Sequence, residues 1–118
     1  MVEYFISTTL ATINLLVISP EHLKMINLEL KHFQIVTEIL KTFPHPVYVF
    51  GSRARGDCKR FSDLDLCVFG NPDKKEVRNL KEAFEESRLP FTVDVVVWDE
   101  LSKDFQDLIK QDLVIIKD

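Results

Sequence analysis

The chain has 118 residues, 46% of them hydrophobic and 29% charged, a size and balance that suit one soluble domain with a single core and exclude a disordered, fibrous or membrane-spanning composition. The formal net charge of -4 offers no general attraction to duplex DNA, so any nucleotide or nucleic-acid contact has to be local. Cys58 and Cys67 show no CxxC spacing and no matching histidine pattern, which points to reduced thiols in a cytoplasmic protein rather than to zinc or redox chemistry.

The stretch from Tyr4 to Ile18 carries no charge. Only Glu3 precedes it where a secretory signal needs basic residues, and it is shorter than the ~20 residues of a spanning helix, so neither export nor membrane attachment is expected. Residues 1–25 are therefore read as an N-terminal extension: a covering helix or strand, a partner surface, or sequence upstream of a start at Met25. The domain proper is expected over residues 26–118.

After Pro20, Phe33, Val36, Leu40 and Phe43 recur at helical spacing, predicting a helix from about Leu23 or Asn27 to Thr42 that ends before Pro44 and Pro46. Val47 to Phe50 is a β-branched and aromatic run stopped by Gly51, the pattern of a buried strand entering a turn. A polar, basic segment from Ser52 to Ser62 leads into Asp63-Leu64-Asp65-Leu66-Cys67-Val68-Phe69, a period-two strand. Val77, Leu80 and Phe84 mark a helix over about Asp73 to Ser87, and a strand is expected from Phe91 to Trp98. Asp99 is the expected N-cap of a last helix with Leu101, Phe105, Leu108 and Ile109 on its apolar stripe, and Leu113 to Ile116 is the expected final strand. This alternation predicts an α/β (α+β) domain: a small mixed sheet with helices packed on it.

Residues two apart in a strand share a face, so Asp63 and Asp65 project together while Leu64 and Leu66 face the core. At ~6 Å and an effective dielectric of about 20, their repulsion is roughly 3 kcal/mol, and a hard cation such as magnesium would relieve it. Asp94 sits in the apolar run Val93-Asp94-Val95-Val96-Val97. Burial there without a partner would be costly. If its strand lies beside that of Asp63, the third carboxylate completes a site for two metal ions ~4 Å apart, as in-line phosphoryl chemistry uses; otherwise it caps a bulge or pairs with an arginine. Gly51 and Ser52 end a strand where backbone N–H groups can meet a phosphate. Arg53, Arg55, Lys59 and Arg60 can offset the charge of a triphosphate, although such a cluster is also an ordinary solvated loop. Cys67 has the parity of the two aspartates and reads as a packed thiol beneath them. Trp98 has the parity of Asp94 and reads as the closing aromatic of a core strand, with base stacking the alternative.

Taken as one unit, GSRARGDCKRFSDLDL resembles the motif of the DNA polymerase β-like nucleotidyltransferase superfamily, in which Gly-Ser is followed after about ten residues by Asp-x-Asp. Ten residues separate Ser52 from Asp63. The fuller pattern, Gly-Ser-x-Ala-Arg-Gly ending in Ser-Asp-x-Asp-Leu, is similar to the minimal nucleotidyltransferase (MNT) branch, small proteins often encoded beside a helical HEPN partner. The resemblance covers about Leu28 to Ile116. It implies that Gly51 and Ser52 bind the triphosphate; Arg53, Arg55, Lys59 and Ser62 are the further candidates for that contact. Asp63 and Asp65 would hold two Mg2+ ions, with Mn2+ an alternative, and Asp94 would help to bind them and to activate the attacking hydroxyl. It further implies transfer of a nucleoside monophosphate, AMP from ATP, to an acceptor such as a tyrosine of a HEPN toxin, which makes this chain an antitoxin. A catalytically silent module that neutralises the partner by occlusion is the alternative. Base preference, acceptor and any homo-oligomer are not read from the residues.

Overall fold

The computed structural model describes residues 26–118, so the expectations for residues 1–25 lie outside the described residues. Helix α1 spans Leu30–Leu40. Its predicted stripe holds: Val36, Leu40 and Phe43 are buried. The helix starts later than Asn27 because the Asn27 N–H donates to the Arg53 carbonyl at 2.7 Å and the Arg53 guanidinium donates back to the Asn27 carbonyl at 2.9 Å. That two-way tie holds the entry to the helix in an extended form.

Strand β1 is Val47–Phe50 and runs through Gly51 into α2, the single turn Ser52–Arg55. Strand β2 is Leu64–Val68, α3 is Lys74–Glu85 and β3 is Val93–Val97. A 3-10 turn over Trp98–Glu100 leads to α4, Lys103–Ile109, and β4 is Val114–Lys117. Helix α3 opens with a capping box in which Asp73 accepts from the Glu76 N–H and the Glu76 side chain reaches back to the Asp73 N–H, meeting two of the free donors of a helix start. The cap of α4 is Ser102, whose hydroxyl accepts from the Phe105 N–H. Asp99, expected there, belongs to the 3-10 turn. The cap thus lies three residues later than hydropathy alone reveals.

The strands form one mixed sheet in the order β3-β2-β1-β4: β1 is antiparallel to β2 and β4, and β2 is parallel to β3. Together with the helices this is the α/β domain with a small mixed sheet that the alternation of elements predicts. One face carries Val47, Val49, Leu64, Leu66, Val68, Val95 and Val114 into a core shared with α1 and α3. The other face carries Phe50 and Cys67 against Ile109, with Phe69, Val96 and Trp98 packed around them. Alternation along β2 thus sorts aliphatic side chains to one face and Asp65 and Cys67 to the opposite one.

Candidate active site

The register places the acids. Phe50 of β1 pairs with Asp65 of β2, and Asp65 pairs with Asp94 of β3. Partners on adjacent strands point to the same side of a sheet, so Asp65 and Asp94 stand together at one end of it. Asp63 lies just before β2 and is exposed. Asp94 is exposed as well, contrary to the burial inferred from its apolar neighbours: β3 is the edge strand, and Val95 and Val97 take the core positions. The cost of burying a lone carboxylate therefore does not arise at Asp94. It arises at Asp65.

The Asp65 carboxyl is pushed up to about 6, first by desolvation, then by the charges of Asp94 and Asp63, with Arg55 acting in the opposite direction. This central group is thus hindered from ionising unless a cation stands nearby. Among the described residues, no three carboxylate, imidazole or thiol groups already stand in a closed coordination cluster. The donor set, three carboxylates with one raised by burial and by its neighbours, fits a hard divalent ion.

Gly51 brings the chain against this site. Its φ is +77°, a conformation that costs other residues ~1–2 kcal/mol, and a Cβ at this position would collide with the Asp65 carboxylate oxygen. Only glycine lets the turn into α2 lie directly on the central acid. Gly56 closes the same turn with a left-handed φ of +86°.

The basic residues divide. Arg53 is buried, with 4% exposure; its guanidinium donates to the carbonyls of Ser62, Arg60 and Asn27 and lies 4.3 Å over the Phe91 ring. With these donors on backbone carbonyls, its side chain braces the loop from within. Ser62 likewise has a local task, its hydroxyl accepting from the Lys59 N–H at 2.8 Å to close the 59–62 turn. Arg55 is exposed and pairs with Asp57 and Asp112, each at 3.3 Å. It is also the cation whose field reaches Asp65. The side chains of Lys59 and Arg60 are exposed, Arg60 over Phe61 at 5.2 Å.

Two side chains were not singled out from the sequence. Phe50 and Phe105, edge to face at 6.1 Å between ring centres, line a cavity of about 500 Å³ together with Asp65, Asp94 and Val96. Their apolar spacing reads only as core, and their place beside the acids follows from strand pairing and the return of α4. Trp98 stacks on Phe69 at 4.9 Å and 24°, the core role expected of it. Cys67 is fully buried and its thiol is raised to about 12 by desolvation, which makes it a packed side chain.

Residues 31–116 match the nucleotidyltransferase domain family. The chain belongs to that family. It is also 36% identical over 97 residues to the probable protein adenylyltransferase MntA of Haemophilus influenzae, an alignment that covers 79% of this chain and 85% of that protein. The fold is thus that of a nucleotidyltransferase, an enzyme of the class that moves a nucleotidyl group from a nucleoside triphosphate to an acceptor. No helix among the described residues is long and apolar enough to cross a membrane.

Proposed function

We propose that this nucleotidyltransferase is metal-dependent and moves AMP from ATP to a hydroxyl group, the acceptor being a tyrosine of a helical HEPN protein whose toxicity the transfer silences. The observation that carries the chemistry is Asp65, register partner of Asp94, raised to about 6 by burial and by its two acidic neighbours, and touched by a turn that only glycine permits. The relative named as a probable protein adenylyltransferase supports the choice of AMP and of a protein acceptor.

In this reading Gly51 lets the triphosphate approach, and the Ser52 hydroxyl donates to a phosphate oxygen. Asp63 and Asp65, with Asp94, hold two Mg2+ ions, or Mn2+ in their place. When bound, such ions neutralise charge on the phosphates and lower the pKa of a coordinated hydroxyl. Asp94, exposed at the edge of the sheet, receives the proton of the acceptor hydroxyl. The acceptor oxygen forms a bond to the α-phosphorus, the bond from that phosphorus to the bridging oxygen breaks, and pyrophosphate leaves. Arg55, whose field already reaches Asp65, offsets the charge that spreads over the phosphates. Residues 26–118 form the catalytic unit, and residues 1–25 are an extension to it.

The test is transfer of label from each α-labelled nucleoside triphosphate to a co-expressed HEPN protein, with wild type compared with Asp65→Asn. Label from ATP on the partner, seen with wild type alone, is the expected result. Equal silencing of the partner by Asp65→Asn without any label would replace transfer with neutralisation by occlusion.

A further inference from the structure

Strand β3 ends the sheet, and among the described residues no strand pairs with its outer side. Four of its five residues are valine, and its one charge is Asp94. An edge of this kind offers a row of free backbone donors and acceptors and lacks the lysines or prolines that usually discourage pairing. A groove of about 560 Å³ runs between this edge and α3. Its helical wall presents Lys74, Arg78 and Lys81, spaced by four and then three residues, so that they form one stripe. All three are exposed, and none makes an ion pair among the described residues. Of the two acids at the groove, Asp73 is bound into the cap of α3 and Glu100 stands in the 3-10 turn after β3. Lys81, Val95 and Val96 line both this groove and the cavity that holds Asp65 and Asp94, so the two are continuous.

We propose that the outer edge of β3 accepts an acidic, extended polypeptide segment as an added strand, laid beside Lys74, Arg78 and Lys81 and guided thereby to Asp94. Backbone pairing supplies affinity without a particular sequence, and the basic stripe selects acidic side chains that face α3. A strand rises ~3.3 Å per residue, so a segment paired along β3 presents one of its own side chains beside Asp94. The proposal rests on the active-site reading above only for its last step: a protein acceptor would be delivered by the strand that carries Asp94. Strand addition itself requires no catalysis.

The experiment uses the full chain and a random peptide library, with peptides of about five to ten residues to match an ordinary strand. Peptides enriched on the wild type are expected to carry acidic residues at alternate positions. The best of them, as a synthetic peptide, should slow amide hydrogen exchange at Val93–Val97 and bind about fivefold more weakly to Lys74→Glu/Arg78→Glu, the loss expected for two exposed ion pairs. Binding of magnesium ATP to that variant should be unchanged. Enrichment of peptides without acids, binding without protection of β3, or tighter binding of a single-stranded oligonucleotide to the same groove would each overturn the proposal. Failure of nucleotide transfer with peptide binding and β3 protection intact would count against the active-site reading and leave this one standing.

Discussion

Asp65→Asn should make the metal-free protein more stable while ending its activity, and the gain should depend on pH in a way that identifies its cause. In the folded chain the Asp65 carboxyl titrates at about 6, well above its ordinary 3.8. The native state therefore holds this proton more tightly than the unfolded chain does. Stability is fully present below about pH 4, declines as pH rises, and is lost once pH passes about 6. A shift of about two units corresponds to a ceiling of ~3 kcal/mol. The carboxyl keeps part of its contact with water, so solvent screening reduces this to ~1–1.5 kcal/mol. Asparagine has nearly the same shape and never ionises. Urea unfolding in EDTA should show the two proteins equal near pH 4 and the variant ahead by ~1–1.5 kcal/mol near pH 8, with unchanged denaturant slopes. Millimolar Mg2+ should then raise the wild type and leave the variant where it was. A variant no more stable than wild type near pH 8, or a gap that does not vary with pH, would refute the argument that burial and two neighbouring charges strain this group.

Gly51→Ala should destabilise the fold by ~1–3 kcal/mol through its positive φ and the collision with Asp65, and weaken magnesium ATP binding, as thermal shift with and without nucleotide will show. Arg53→Lys should lower the urea midpoint by the equivalent of ~2 kcal/mol or more, because an ammonium does not reproduce the fork that serves three carbonyls; a stable Arg53→Lys protein with weakened ATP binding would return Arg53 to the phosphate. Asp94→Asn, at an exposed edge position, should leave the unfolding midpoint within ~0.5 kcal/mol of wild type and abolish transfer in a labelled-ATP assay. In the native protein, iodoacetamide should modify Cys58 and spare Cys67, which is buried with its thiol raised to about 12; mass spectrometry of the peptides decides it.

Much of this protein is legible in its residues because the signals are local. The stripe of Val36, Leu40 and Phe43, the alternation of Leu64, Leu66 and Val68, and the turn at Gly51 depend on neighbours within one element, and each is found in the described residues. The pairing of loop and acids is legible for the same reason, since the ten residues between Ser52 and Asp63 reflect how far a short turn must reach to return beside its own strand. Helix boundaries are less so: Asn27 leaves α1 because it is bound to Arg53, a contact between residues 26 apart.

Charge and burial were not local matters. Four arginines and lysines between Ser52 and Ser62 look alike in sequence, yet Arg53 turns inward to three carbonyls and the face of Phe91 while Arg55 stays outside and acts on Asp65. Asp94, amid valines, looks buried and is exposed, whereas Asp65 is the acid that pays for desolvation. The sequence by itself determined which elements form, which turn needs glycine and which carboxylates share a parity, because those follow from backbone preferences and side-chain periodicity. Only the tertiary structure decided that β3 lies at the edge, that Asp94 meets Asp65 in register, and that Phe50 and Phe105 border the acids, because strand order and the docking of α4 depend on how distant surfaces pack.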